Sequence, residues 1–86
     1  MYRVYRVGQF FKNKDKGDIY ILANVGLYVT LIGIESGNRW ADKSILHTFE
    51  NLFKINEEEW KIITNNKPNK FIPINIKTIT EPDWEL

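Results

Sequence analysis

Three consecutive side chains with binding chemistry, Asn38, Arg39 and Trp40, follow a glycine turn at Gly37. Arginine carries a planar fork of N–H donors and tryptophan a large rigid ring, and both are enriched at binding hot spots. A guanidinium that holds an anionic group beside a ring that stacks on a planar ligand would suit a nucleotide. We therefore predict a ligand-binding site here. The alternative is that Trp40 fills the core and Arg39 covers it with its aliphatic stem.

Two tyrosines on the preceding hairpin are predicted to extend this site. If the turn is centred at Val25-Gly26, Tyr20 and Tyr28 alternate onto the same face of their two strands. The next turn would then bring the arginine and the tryptophan beside them. The predicted ligand-binding residues are Asn38, Arg39, Trp40, Tyr20 and Tyr28.

The sequence contains no residue spacing that is typical of a catalytic or metal-binding site. His47 stands in an apolar run without a Cys, Asp or Glu at a familiar spacing, which is typical of a partly buried strand residue. The run Glu57 to Glu59 suits the first turn of a helix, where the macrodipole favours negative charge. The chain has no cysteine, so disulfides and thiolate metal sites are excluded. No glycine-rich loop leads from a strand into a helix to hold phosphate. We expect a binding protein without enzymatic activity, cofactor or metal.

A basic N-terminal cluster supplies an alternative site. Five of the twelve Lys and Arg residues fall in the first sixteen positions, although the net charge is only +1. With exposed aromatic rings between them, such cations could hold single-stranded nucleic acid. A solvated loop is the simpler interpretation. The cluster consists of Arg3, Arg6, Lys12, Lys14 and Lys16, with Tyr2 and Tyr5 as its aromatic members.

Length and hydropathy limit the class of protein. The chain has 86 residues, which fits one domain with a thin core. No apolar run approaches the roughly 18 residues that span a bilayer, and the N-terminus lacks the apolar core of a signal peptide. We expect one domain, 1–86, in the cytoplasm.

Alternating apolar residues predict about five short strands. They fall at 3–11, 19–25, 28–34, 45–49 and 71–80. The glycines suggest a type II turn over Asn24-Val25-Gly26-Leu27. They also suggest a three-residue hairpin loop with a bulge, Glu35-Ser36-Gly37, in which Gly37 is left-handed and after which Asn38 to Trp40 open the next strand. Pro73 lacks an N–H and therefore places the last strand at a sheet edge.

One helix start is clear. Asn56 can cap the free N–H groups of a first turn, and Glu59 can reach back to the cap, while Ile55 and Trp60 form a hydrophobic staple. We predict a helix over about 57–64, which ends before Pro68. Its residues Trp60 and Ile63 share a face and should seal one open end of the sheet.

Several short strands and one late helix favour a mainly β fold, a small SH3-like antiparallel barrel. A narrower pattern is also present: Gly17-Asp18-x-Tyr20-x-Leu22-Ala23, Leu31-Ile32, Gly37-Asn38-Arg39-Trp40, and Ile55 through Trp60. This pattern, over about residues 7–64, resembles small uncharacterised bacteriophage and prophage proteins. The resemblance implies a phage accessory protein that acts by binding, either by blocking a host defence protein or by sequestering its nucleotide signal.

Protein contacts form a third class of function. The exposed edge expected at 71–80 could pair with a second copy of the chain, which predicts a homodimer or larger assembly. The same edge, or Trp84 near the C-terminus, could instead dock on a different protein.

Overall fold

The fold is mainly β, with one short helix late in the chain. A computed structural model describes residues 4–48 and 54–75. In chain order the elements are β1 (Tyr5–Arg6), β2 (Phe10–Asn13), β3 (Ile19–Val25), β4 (Tyr28–Gly33), β5 (Ile45–Leu46), β6 (Lys54–Ile55), α1 (Glu57–Ile63) and β7 (Phe71–Ile74).

All strand pairs are antiparallel and fall into two sheets. The larger sheet has the order β5-β4-β3-β2-β7, and the smaller one pairs β1 with β6. The predicted fold class, mainly β with a short helix, is confirmed. Within the described ranges the strands number seven, against about five expected, and they do not close into a barrel. The SH3-like barrel therefore stays a prediction.

The first predicted strand, 3–11, is broken in two at Gly8. Gly8 has a φ of +97°, a conformation that costs other residues energy, and its N–H donates to the Leu22 carbonyl. The chain bends at this point. β2 stays beside β3, whereas β1 leaves the larger sheet and Tyr5 pairs with Ile55 of β6.

The turn between β3 and β4 lies one residue later than predicted. Val25 pairs with Tyr28, so Gly26 and Leu27 are the two central residues. Gly26 has a φ of +61° and Leu27 is not in the left-handed region, which matches a type II′ turn with glycine at its first central position. The predicted type II turn with Gly26 third is wrong, because the primed turn fits the right-handed twist of the two strands.

In the second hairpin loop Gly37 is left-handed as predicted, with a φ of +72°, and its N–H donates to the Gly33 carbonyl. The loop holds four residues, 34–37, and not the three predicted, because the Gly33 N–H donates to the Asn38 carbonyl. The expected strand at 38–40 is reduced to one bridge, between Ile32 and Arg39. The chain then stays beside β4 through single hydrogen bonds, from the Trp40 N–H to Leu31 and from the Thr30 hydroxyl to Lys43, and pairs with it again at β5, where Ile45 pairs with Val29.

One face of the larger sheet forms the core, together with β1, β6 and α1. Trp60 at its centre stacks on Tyr5, with ring centroids 4.3 Å apart, and lies 4.6 Å from Phe11. The predictions that Trp60 and Ile63 share a buried helix face and that Ile55 is buried with Trp60 are confirmed. The buried apolar residues are Tyr5, Phe11, Leu22, Val29, Leu31, Ile45, Ile55, Trp60, Ile63 and Phe71.

The helix begins and ends with local hydrogen bonds. The Asn56 side chain accepts from the Glu59 N–H, and the Glu59 carboxylate accepts from the Asn56 N–H, both at 2.9 Å. This is the predicted capping box. At the other end the Asn66 N–H donates to Lys61 and the Asn65 N–H to Ile62, which is a Schellman motif. Asparagine tolerates the left-handed backbone this motif requires.

Replacing Asn56 with alanine should lower the free energy of unfolding by about 1 kcal/mol, because the cap accepts an N–H that the helix leaves free. Urea denaturation measures the change. Glu59→Gln is the control, since an amide oxygen can still accept from the Asn56 N–H. An Asn56→Ala protein with an unchanged urea midpoint would show that the cap contributes nothing.

The last strand lies at a sheet edge, as Pro73 predicted. Among the residues that the structure describes, β7 pairs with β2 alone. The strand is placed at Phe71–Ile74. The predicted continuation to residue 80 and the interpretation of Trp84 fall outside the described residues.

Candidate functional site

The structure brings two of the five predicted site residues together. The rings of Tyr20 and Trp40 meet edge to face, with centroids 6.0 Å apart, and both are half-buried. Phe71 completes the group, 5.0 Å from Trp40 and 5.3 Å from Tyr20. These three rings form an aromatic cluster at the margin of the core.

Tyr28 does not join this cluster. Because Val25 pairs with Tyr28 and Leu22 with Leu31, Tyr28 lies on the opposite face of the sheet from Tyr20. The expectation that the two tyrosines share a face is wrong. A two-residue turn at either position pairs Tyr28 with an odd-numbered residue of β3, Val25 as observed or Ala23 as predicted, and odd-numbered residues lie on the face opposite Tyr20.

Arg39 and Trp40 also separate. Arg39 bridges to Ile32, whereas the Trp40 N–H donates to the Leu31 carbonyl, so successive side chains point to opposite faces. The Arg39 guanidinium is exposed and lies 3.3 Å from the Asp42 carboxylate. Asn38 is exposed next to it, and its carbonyl accepts from Gly33.

Trp40 is held by core contacts. Its indole N–H donates to the Thr64 carbonyl at 3.3 Å, and its ring packs against Phe71. The alternative, that Trp40 fills the core margin, thus agrees with its contacts. The cation above its ring is not Arg39 but Lys70, whose ammonium lies 5.5 Å from the ring centroid. This distance is within the range of a cation–π interaction.

Lys70 leads to a basic surface of which the sequence indicated only Lys14. Its ammonium donates to the Asp15 carboxylate, and its backbone carbonyl accepts from the Lys14 N–H at 2.9 Å. The hydrogen bond and the charge of Lys70 lower the pKa of Asp15, and the charges of Lys14 and Lys67 lower it further. Three ammonium groups therefore act on one exposed carboxylate. We call Lys14, Lys67 and Lys70 the lysine triad.

The loop after α1 positions this triad. The left-handed residues Asn65 and Asn66 reverse the chain, and the Lys70 N–H donates to Lys67 in a further turn. The loop is fixed from inside because the buried Trp60 indole donates to the Pro68 carbonyl at 3.0 Å. The loop and the β2–β3 turn border an open depression of about 400 Å³, lined by Lys14, Asp15, Asn66, Lys67, Pro68, Asn69 and Lys70.

A second depression continues this surface along the helix. It shares Asn66 with the first and is lined by Lys43, Lys61, Ile62, Asn65 and Asn66. Lysines near a helix C-terminus also complement its macrodipole, which explains Lys61 without a ligand. The polar run 65–70 was the available sequence signal, but by itself it indicated only where the helix ends.

The basic N-terminal cluster is dispersed in the structure. Tyr5 is buried and stacks on Trp60, so the expectation that it is exposed is wrong. Lys12 lies beside Ile19 and Ile72 on the sheet face opposite the core, while Lys14 joins the lysine triad. Arg6 and Lys16 are exposed, and Tyr2 and Arg3 lie outside the described residues.

Asp18 and Tyr20 add polar groups beside the aromatic cluster. Burial, and then a hydrogen bond and charge from Asp18, raise the pKa of the Tyr20 hydroxyl. This hydroxyl therefore keeps its proton at neutral pH, because its ordinary pKa is already near 10. Cations, carboxylates and ring edges thus lie near one another at this end of the molecule.

No family model, curated protein or solved structure matches this chain. In residues 4–48 and 54–75 no three His, Cys, Asp or Glu side chains are grouped so as to hold a metal ion. No helix in the same part of the chain is long and apolar enough to cross a membrane.

Proposed function

We propose that the chain is a non-enzymatic binding protein for a phosphate-bearing ligand, with a nucleotide as the favoured class. The observation that carries this proposal is the position of Lys70, which touches both the Trp40 ring and the Asp15 carboxylate, with Lys14 and Lys67 close by. Ammonium groups bind phosphate as charge-assisted donors.

The aromatic cluster supports a nucleotide over a bare anion. The half-buried rings of Tyr20 and Trp40 offer apolar area for a base next to the lysine triad. Asp18 offers an acceptor for amino or hydroxyl groups of the ligand. The exposed Asn38 stays a candidate contact beside Trp40, whereas Tyr28 and Arg39 lie on the other face and do not contribute to this surface.

The biological use proposed here rests on the resemblance to phage accessory proteins. We propose interference with host defence in the bacterial cytoplasm, by sequestering a nucleotide signal, with blockage of a host defence protein as the other route. A binder without catalysis is sufficient for either route. The proposal also includes an SH3-like barrel, supported by the bend at Gly8 that carries β1 from the larger sheet across to β6.

Titration calorimetry with ATP and with a cyclic dinucleotide tests the binding site. Lys67→Ala and Lys70→Ala should each weaken binding about tenfold, as expected for loss of a charged hydrogen bond. Asp15→Asn should strengthen binding, because it removes the carboxylate that competes with phosphate for Lys70. Lys54→Ala on β6 is the control and should leave affinity unchanged.

Unchanged affinity of Lys67→Ala and Lys70→Ala for a nucleotide that the wild type binds would place the site elsewhere. A wild type that binds neither probe would refute the nucleotide proposal. The variant Arg39→Ala, Trp40→Phe removes the guanidinium while keeping most of the ring volume, and so measures whether the site predicted from sequence contributes.

Single-stranded nucleic acid is a second candidate, favoured by the extent of the basic surface. The basic surface runs from the lysine triad past Asn66 to Lys43 and Lys61. A surface of this length can follow the phosphate backbone of a single strand. An oligothymidylate should then bind with an affinity that falls steeply as salt rises. Binding of a mononucleotide that exceeds oligonucleotide binding at physiological salt would reject this candidate.

A further inference from the structure

The sheet face turned away from the core, which we call the outer face, carries most of the exposed apolar side chains. Eight large apolar residues are exposed among the described residues. Five of them lie on this face, and a sixth, Leu27, lies in the turn between β3 and β4. Strand register places them at two ends of the face. Val25, Tyr28 and Leu46 form one row across three strands, while Ile34 and Ile72 lie towards the other end.

A row of half-buried apolar residues joins these two ends. Ile74, Phe10, Ile21 and Ile32 are successive cross-strand partners on β7, β2, β3 and β4. Ala23 lies between this row and the Val25 row, since alternate residues of a strand share a face. In the part of the chain that the structure describes, the outer face is therefore largely apolar, with the polar Thr30 opposite Ala23 and charged groups at Lys12 and Arg39.

The core elements lie on the other side of this sheet. Phe11, Leu22 and Leu31 point to the inner face, where they pack with Tyr5 of β1, Ile55 of β6 and Trp60 of α1. Within residues 4–48 and 54–75 no helix or strand packs over the outer face, although Thr30 near β5 is buried on it and donates its hydroxyl to the Lys43 carbonyl. Exposed apolar area of this extent marks an interaction surface.

We propose that the outer face is the interface of a homodimer in which two sheets pack face to face. Five strands at about 4.8 Å spacing and four rows at about 7 Å spacing give a face of roughly 24 by 21 Å. Its flat area of about 500 Å² increases with side-chain relief and lies near the lower end of specific interfaces, which bury about 600–1,000 Å² per partner. Paired sheets about 10 Å apart would bury the apolar rows as a sandwich core does.

The charges at the margin of the face favour a second copy as the occupant. Lys12 and Arg39 are accompanied by two acidic residues, Glu35 in the adjoining turn and Asp42 beside Arg39. The margin of the outer face carries both acidic and basic side chains. In a two-fold dimer the acids of one copy can therefore pair with the bases of the other. The face excludes the lysine triad, so this proposal and the ligand proposal can fail separately.

Sedimentation velocity of the full chain at micromolar concentrations tests the interface. The wild type should sediment with twice the 10.2 kDa chain mass. Tyr28→Lys and Leu46→Lys should each weaken dimerisation about 100-fold or more, because a two-fold interface buries each new ammonium twice. Ile62→Lys is the matched control, since Ile62 is also half exposed but lies on α1, and it should remain a dimer.

Circular dichroism verifies that the variants keep the wild-type spectrum. A wild type that sediments as one chain overturns the proposal, and so does a folded Tyr28→Lys protein that dimerises as strongly as the wild type.

Discussion

Replacing Trp60 with alanine should lower the free energy of unfolding by about 3–5 kcal/mol. Trp60 is 1% exposed and contacts Tyr5, Phe11 and Phe71, so its removal leaves a cavity in the centre of the core. Its indole N–H also holds the Pro68 carbonyl, and the loss of this bond releases the loop that carries Lys67 and Lys70. Urea denaturation and thermal melting measure the effect.

Two variants control for this result. Trp60→Phe keeps much of the ring volume and should destabilise less than Trp60→Ala. Arg39→Ala should change stability by about 0.5 kcal/mol or less, because exposed ion pairs such as Arg39–Asp42 contribute little. A Trp60→Ala protein that melts at the wild-type temperature would contradict the assignment of Trp60 to the core.

Ile63→Ala should lower the free energy of unfolding by about 2–5 kcal/mol. Ile63 is 1% exposed, and the neighbouring Ile62 is 50% exposed on the same helix. The two substitutions change helix propensity equally, so the difference between them isolates burial. Ile62→Ala should leave stability within about 0.5 kcal/mol of the wild type.

Equal effects of the two substitutions would mean that α1 does not bury the face that the structure assigns to it. A larger effect for Ile62→Ala would reverse the orientation of the helix. Either outcome would also remove the basis for using Ile62→Lys as the control for the dimer interface. Urea denaturation at several protein concentrations separates loss of core packing from loss of dimerisation, because only the latter depends on concentration.

The lysine triad shows why the sequence predicted only part of the candidate site and missed Lys67 and Lys70. Asp15 and Lys70 are 55 positions apart and meet only because β7 pairs with β2. In the sequence, Lys67 and Lys70 belong to a helix-ending segment, and nothing in that segment identifies Lys14 as its neighbour. The apolar outer face is hidden in the same way, since alternation identifies two faces of a strand but not which one the helix covers.

The sequence by itself determined the features whose causes lie within a few residues. The capping box needs only Asn56 and Glu59, the loop at Gly37 needs only a residue that accepts positive φ, and Trp60 follows from its helix position. Tertiary structure decided what depends on register and on pairing between distant strands. Tyr28 lies outside the predicted site because the hairpin pairs it with Val25, on the face opposite Tyr20, and Tyr5 becomes a core residue because Gly8 turns β1 towards β6. The physical reason is that hydrogen bonds within a turn are encoded locally, whereas cross-strand neighbours depend on packing of the whole chain.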